Sequence, residues 1–187
     1  MRTAASRHIA ADLALSRAAG APLIDGNAVR VLRDGAENYP AWLDAIAGAE
    51  HYIHFDSYIV HDDRTGRLFA DALAARARAG VSVRVLYDWV GAVRATSRAF
   101  WHRLREAGVE VRAFNRPVAW RPLAWLSRDH RKMLAVDGRV AYVSGLCVGD
   151  DWVGTAETPP WRDTGVEILG PAVADIHAAF ALFSRNH

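Results

Sequence analysis

Lysine is almost missing from this 187-residue chain: of 23 basic residues, 22 are arginine and one, Lys132, is lysine. Whatever bias favours arginine was overruled at that one position, and arginine's planar fork does not replace a compact ammonium. Cysteine is nearly missing too. The single Cys147 excludes an internal disulfide and any structural zinc site built on several thiolates, and it leaves the redox compartment open. No run approaches the ~20 consecutive apolar residues that cross a bilayer, and Met1 to Gly20 reads as a polar, alanine-rich helix rather than a signal peptide. A net charge of +2 is too small to announce a nucleic-acid binder.

What is there suits one compact unit: 51% of residues are hydrophobic and 24% charged. We expect residues 1–22 to form an N-terminal helical extension and residues 23–187 a single domain. Local charge is uneven, since Arg112, Arg116, Arg121, Arg128, Arg131 and Lys132 face only Asp129 within one stretch. One face is therefore suited to an anionic partner.

Periodicity predicts a helix over 41–50, a strand over 51–60, a helix over 67–80 closed by Gly80, and a second strand from Val81. The unit repeats with a helix over 97–108 and a strand over 109–114. Strands alternating with helices predict an α/β fold with a mixed, partly parallel central sheet flanked by helices on both faces. A Pro- and Trp-containing loop (115–128) follows. Asp137-Gly138 between two apolar runs then predicts a tight hairpin. A short strand (166–169) and a helix opened by Pro171 end the chain.

The chemistry centres on His130-x-Lys132-x4-Asp137. On a strand His130 and Lys132 point the same way and Arg131 the opposite way. An imidazole and an ammonium aimed at one spot suit a phosphodiester: imidazole attacks phosphorus, and lysine holds a non-bridging oxygen whose charge grows in the transition state. Asp137 belongs to the motif, yet an aspartate before glycine in a hairpin is also explained by turn chemistry alone. Cys147 reads either as a nucleophile paired with His130 or as a small buried hydrophobe. His51, His54 and His61 invite a metal, but residues 51 and 54 of a strand face opposite sides, so neither metal nor other cofactor is expected. His54, Asp56 and Tyr58 share one strand face, which either lines the pocket or is merely the wetter side. Trp120, Arg121 and Trp125 read either as a membrane anchor or as a loop folded over its own core.

The segment HRKMLAVDGRVAYVSGLCVGDDW, followed by PWRDTGVEILGPAVADIHAAF, resembles the first catalytic half of bacterial cardiolipin synthases and related phosphatidyltransferases of the phospholipase D superfamily. Upstream, GNAVRVLRDGAENYPAWLDAIAGA, HYIHFDSYIVHDDRTGRLFADALAARARAGVSVRVLYDW and LREAGVEVRAFN resemble it as well. The resemblance implies a phospholipase D-like domain in which two such motifs face each other, one histidine forming a phosphohistidine and the other protonating the leaving alcohol. It makes His130 the nucleophile or acid, Lys132 the phosphate clamp and Asp163 the carboxylate that orients the imidazole. After the aspartate the family continues x6-Gly-Gly/Ser-x-Asn, and its asparagine donates to the phosphate. Here Ser144, Gly145, Leu146 and Cys147 stand at those positions, so a thiol replaces that donor and the Ser144 hydroxyl is its nearest substitute.

The function expected from the resemblance is phosphatidyl transfer or phospholipid phosphodiester cleavage of the cardiolipin synthase type. Its substrate would be an anionic phospholipid, at the cytoplasmic inner face of the cell membrane. The second motif would come from a C-terminal domain or from a homodimer partner. The rival reading is a single-motif endonuclease active as a homodimer, with nucleic acid the lesser candidate as substrate, and a third is a catalytically degenerate half that survives as a scaffold.

Overall fold

The computed structural model describes residues 4–118, 123 and 126–185. In chain order its elements are α1 (Ala4–Ala19), β1 (Ala28–Arg33), α2 (Asp34–Ala47), β2 (Tyr52–Ser57), α3 (Arg64–Arg78), β3 (Ser82–Asp88), α4 (Trp89–Ala92), α5 (Arg98–Glu106), β4 (Glu110–Phe114), β5 (Lys132–Val136), β6 (Val140–Ser144), β7 (Thr164–Leu169) and α6 (Ala172–Arg185). Seven strands form one sheet in the order β1-β7-β6-β5-β2-β3-β4. The β2-β3-β4 side is parallel because helices connect its strands, whereas β5, β6, β7 and β1 pair antiparallel. β5 joins the halves by pairing antiparallel with β2.

Strand alternation divides the core. Ile53, Phe55, Val83, Val85, Leu134 and Val136 face α2, α3 and α5, where they meet Trp42, Phe69, Leu73 and Leu104. On the opposite face Leu86, Phe114 and Met133 meet Phe180 of α6, and Ala135 and Ala141 meet Val173. The mixed α/β architecture with helices on both faces is thus as expected. The cover by α6 is incomplete: Val31 and Val143, which both pair with Val166 and so share its face, are 59% and 41% exposed.

Local signals account for both ends of α3 and of α5. Asp63 caps α3 by accepting from the Gly66 amide at 2.8 Å, and Ser97 caps α5 by accepting from the Phe100 amide at 3.1 Å. Gly80 and Gly108, with φ of +92° and +93°, leave those two helices through the left-handed conformation.

Three elements depart from expectation. β1 was not anticipated, although AVRVLR alternates; it is an edge strand whose inward residue, Leu32, is buried. α2 starts at Asp34 and runs through Pro40, instead of starting at 41. Contacts outside the 41–50 period extend this helix backwards: the buried Asn38 amide donates to the Leu32 and Asp34 carbonyls, and Glu37 accepts from the Arg33 amide. In the hairpin, Asp137 and Gly138 form the expected tight turn, closed by the Arg139 amide on the Val136 carbonyl at 3.0 Å. Pairing resumes with Val136 opposite Val140, so Arg139 is an extra residue.

Candidate active site

Lys132 is the first residue of β5 and His130 lies two positions before it, so the strand's alternation, carried back past Arg131, aims both side chains the same way. Lys132 Nζ lies 3.3 Å from His130 Nδ1 and donates to the His130 carbonyl at 2.8 Å. The imidazole is exposed and the lysine 6% exposed, an open ring backed by a buried charge. Burial pulls the ammonium below its ordinary pKa, while Asp163, Asp129 and Asp56 pull the other way.

Tyr58 joins this pair. Its ring centroid is 4.6 Å from that of His130 and 5.2 Å from Lys132 Nζ. The Arg128 guanidinium donates to the Tyr58 hydroxyl at 2.6 Å and is itself held by Asp88 at the end of β3, 3.1 Å away. Asp88 also accepts from the Asp129 amide at 2.9 Å, which pins the backbone one residue before His130.

Arg131 points to the other face, as alternation requires. It chelates Asp129, with Nε and Nη2 at 3.0 and 3.1 Å from the two carboxylate oxygens, and lies 3.2 Å from Asp56. Asp56 is thus enclosed between the Arg131 guanidinium and the Asp129 carboxylate. Burial first, then the neighbouring Asp129 carboxylate, push Asp56 well above the usual carboxylate range, with Arg131 opposing.

Of the three residues expected on one strand face, only Tyr58 reaches the site. His54 is buried beneath α6, stacked on His177 and Phe180 at 4.7 and 4.4 Å, and burial pushes it down to about 4. Asp56 stands behind the reactive pair rather than in a pocket. β2 ends at Ser57, and the chain's departure there frees Tyr58 from the alternation that keeps His54 and Asp56 under α6.

Asp137 lies at the far end of β5, about 17 Å from Lys132 at strand spacing. Its carboxylate accepts from the Glu50, His51 and Tyr52 amides at 2.7–2.8 Å and from Arg139. Although burial opposes it, these bonds hold the group down to about 2. Its visible work is to fasten the hairpin to β2.

The segment after β6 closes over the reactive end. Ser144 donates to the Leu146 carbonyl at 3.3 Å. Cys147 is buried; burial pushes its thiol up and the Lys132 charge opposes this only in part, which argues against a thiolate nucleophile. Asp163 stands against Gly145, where a Cβ would collide with its carboxylate. That carboxylate accepts from the Thr164 amide at 2.8 Å and makes no hydrogen bond to His130. Trp120, Arg121 and Trp125 lie outside the described residues. Among the described residues no group of His, Cys, Asp and Glu is arranged to hold a metal ion, and no helix is long and apolar enough to cross a membrane.

The residues that sequence reasoning missed as a unit are Asp88, Arg128, Asp129 and Arg131. Asp88 and Arg128 are 40 positions apart, and the basic stretch that contains Arg128 was the only signal pointing to them.

A mixed sheet with a His–Lys pair at the head of an antiparallel strand is the design of a phospholipase D-like half-domain. The chain belongs to the family described as "Cardiolipin synthase, PLD-like domain", whose model matches residues 42–148. It is 36% identical over 178 residues to cardiolipin synthase A of Pseudomonas syringae pv. syringae (strain B728a), covering 94% of this chain and 37% of that one. It is 39% identical over 161 residues to the major cardiolipin synthase ClsA of Bacillus subtilis (strain 168), covering 84% and 33%. The chain thus spans about a third of the length of these curated relatives. Among solved structures it resembles Nuc of Salmonella typhimurium, a phospholipase D family member, with a TM-score of 0.60 at 17% identity, over 86% of this chain and 95% of that one. That likeness is one of fold.

Proposed function

We propose that this chain is one catalytic half of a phosphatidyltransferase of the cardiolipin synthase type, working on an anionic phospholipid at the inner face of the cell membrane. The observation that carries the reading is an exposed imidazole 3.3 Å from a buried ammonium at an open strand end, in a chain related to cardiolipin synthases over most of its length. In this reading His130 Nε2 attacks phosphorus; the N–P bond forms as the bond to the departing alcohol oxygen breaks. Lys132 moves from the His130 carbonyl to a non-bridging phosphate oxygen. Ser144 and the Cys147 position border the phosphate, and Asp163 turns from the Thr164 amide to orient the imidazole. The departing alkoxide needs a proton from the opposite side, and His130 cannot occupy both sides. A second motif supplies that acid, from a further domain or from another copy of this chain. The incompletely covered face that carries Val31 and Val143 gives such a partner an apolar surface to cover. The membrane-anchor role of Trp120, Arg121 and Trp125 belongs to the same proposal.

The test combines sedimentation with assays of phosphatidyl transfer and phosphodiester cleavage. The 187-residue chain is expected to be inactive as a monomer and active once paired with a second motif. In the paired enzyme His130→Ala should lower the rate by about 10²- to 10⁴-fold. A monomer with full turnover, or a paired His130→Ala enzyme near the parent rate, would overturn the proposal. A homodimer that cleaves nucleic acid but not phospholipid would favour the nuclease reading.

A further inference from the structure

Between the first turns of α2, the start of α3 and the 150–160 segment lies a cavity of about 390 Å³, within the range of about 300–1,000 Å³ that holds small ligands. Tyr39, Leu43, Leu68, Phe69, Trp152 and Val153 form most of its wall. The polar groups there are already engaged. The Tyr39 hydroxyl donates to the Cys147 carbonyl at 2.9 Å, Thr65 donates to Asp150, and the Asp34 carboxylate accepts from Arg162 at 2.8 Å. An oily wall whose hydrogen-bonding groups are committed elsewhere suits hydrocarbon.

The mouth specifies the hydrocarbon further. Leu68 (54%), Val153 (41%) and Trp161 (56%) are exposed beside the Arg64 and Arg162 side chains, 78% and 80% exposed. Trp161 meets Trp152 edge-on at 5.1 Å, which makes it continuous with the cavity wall. Indole, aliphatic and guanidinium groups together are the composition that settles at the headgroup level of an anionic lipid layer.

The cavity also shares a wall with the reactive end. The Asp34 amide donates to the Asp163 carbonyl at 2.8 Å, and the Asp163 amide donates to the Asp34 carboxylate at 2.9 Å. Asp163 in turn borders Gly145 and acts on Lys132.

We propose that this cavity is an acyl-chain subsite, which takes one hydrocarbon chain of the phospholipid whose phosphate is handled at His130 and Lys132. The assignment rests on the phospholipid reading above. Ala36 and Leu68 are exposed at the mouth, so changes there leave the core intact. The experiment titrates the 187-residue chain with phosphatidylglycerols of increasing short acyl length, below their critical micelle concentrations, with the deacylated headgroup as control. Affinity should rise by up to about fourfold per methylene until the cavity is full. Ala36→Trp, which plugs the mouth, and Leu68→Asp should each flatten that dependence while thermal unfolding stays near the parent's. An unchanged acyl-length dependence in Ala36→Trp would overturn the assignment. So would an intact dependence accompanied by weaker association with the second motif, because the cavity would then serve a protein contact. If the length dependence and its loss both hold but the paired enzyme transfers no phosphatidyl group, the subsite stands and the functional reading falls.

Discussion

The two ends of β5 carry the three letters of one motif and are built in opposite ways. At the turn end Asp137 is surrounded by donors: three backbone amides and a guanidinium satisfy its charge. At the other end the Lys132 ammonium is buried with one carbonyl and one imidazole nitrogen for company, and its ordinary pKa is eroded. The first end is stable because the charge is paired. The second holds a buried cation with few partners, an arrangement that fits the phosphate-clamp role proposed for Lys132.

That contrast breaks most visibly at Lys132. In the paired enzyme Lys132→Arg should cost about 10²- to 10³-fold in turnover, because a planar fork cannot take the place of the point charge; steady-state phosphatidyl transfer measures it, and full activity would show that any cation suffices. Cys147→Asn sharpens the same end. Restoring the family's donor should raise the rate roughly ten- to a hundredfold, as expected for one regained hydrogen bond to a charged group; an unchanged rate would mean that Ser144 or a backbone amide already fills the position.

At the turn end the effect moves from rate to stability. Asp137→Asn should cost about 2 kcal/mol of unfolding free energy in denaturant titration while turnover of the folded enzyme persists. The sign follows from the depressed pKa. The Asp137 contribution is fully present above the ordinary aspartate value and is lost as pH falls through about 2, so the acid limb should be steeper in the parent than in the asparagine variant, which keeps only the share of other depressed carboxylates such as Asp34 and Asp150. The smallest effect is a gain: Lys132→Met removes a poorly paired buried charge and should stabilise the fold by about 1 kcal/mol while abolishing activity. A loss of stability there would mean that the ammonium is as well satisfied as Asp137.

Much of this was legible from the chain. The βα alternation, the hairpin and the shared direction of His130 and Lys132 follow from periods of two and 3.6, which local sequence encodes. The single lysine marked its own position without any structure. Other readings failed for physical reasons. His54 and Asp56 share a strand face, but whether that face meets solvent or a helix depends on where α6 packs, and α6 lies more than a hundred residues downstream. α2 begins well before the stretch over 41–50 whose spacing is helical, because Asn38 and Glu37 hold the preceding turns through contacts with β1.

By itself the sequence determined the α/β class, the two residues that set an imidazole beside an ammonium and the turn that closes on Asp137, because each depends on neighbours within a few positions along the chain. Only the tertiary structure decided that Asp88 and Arg128 fix Tyr58 against His130, that Asp137 serves β2 rather than the reactive pair, and that α2, α3 and the 150–160 segment leave an oily cavity beside Asp163. Those outcomes rest on contacts between residues tens of positions apart and on the burial that results, and no local period records either.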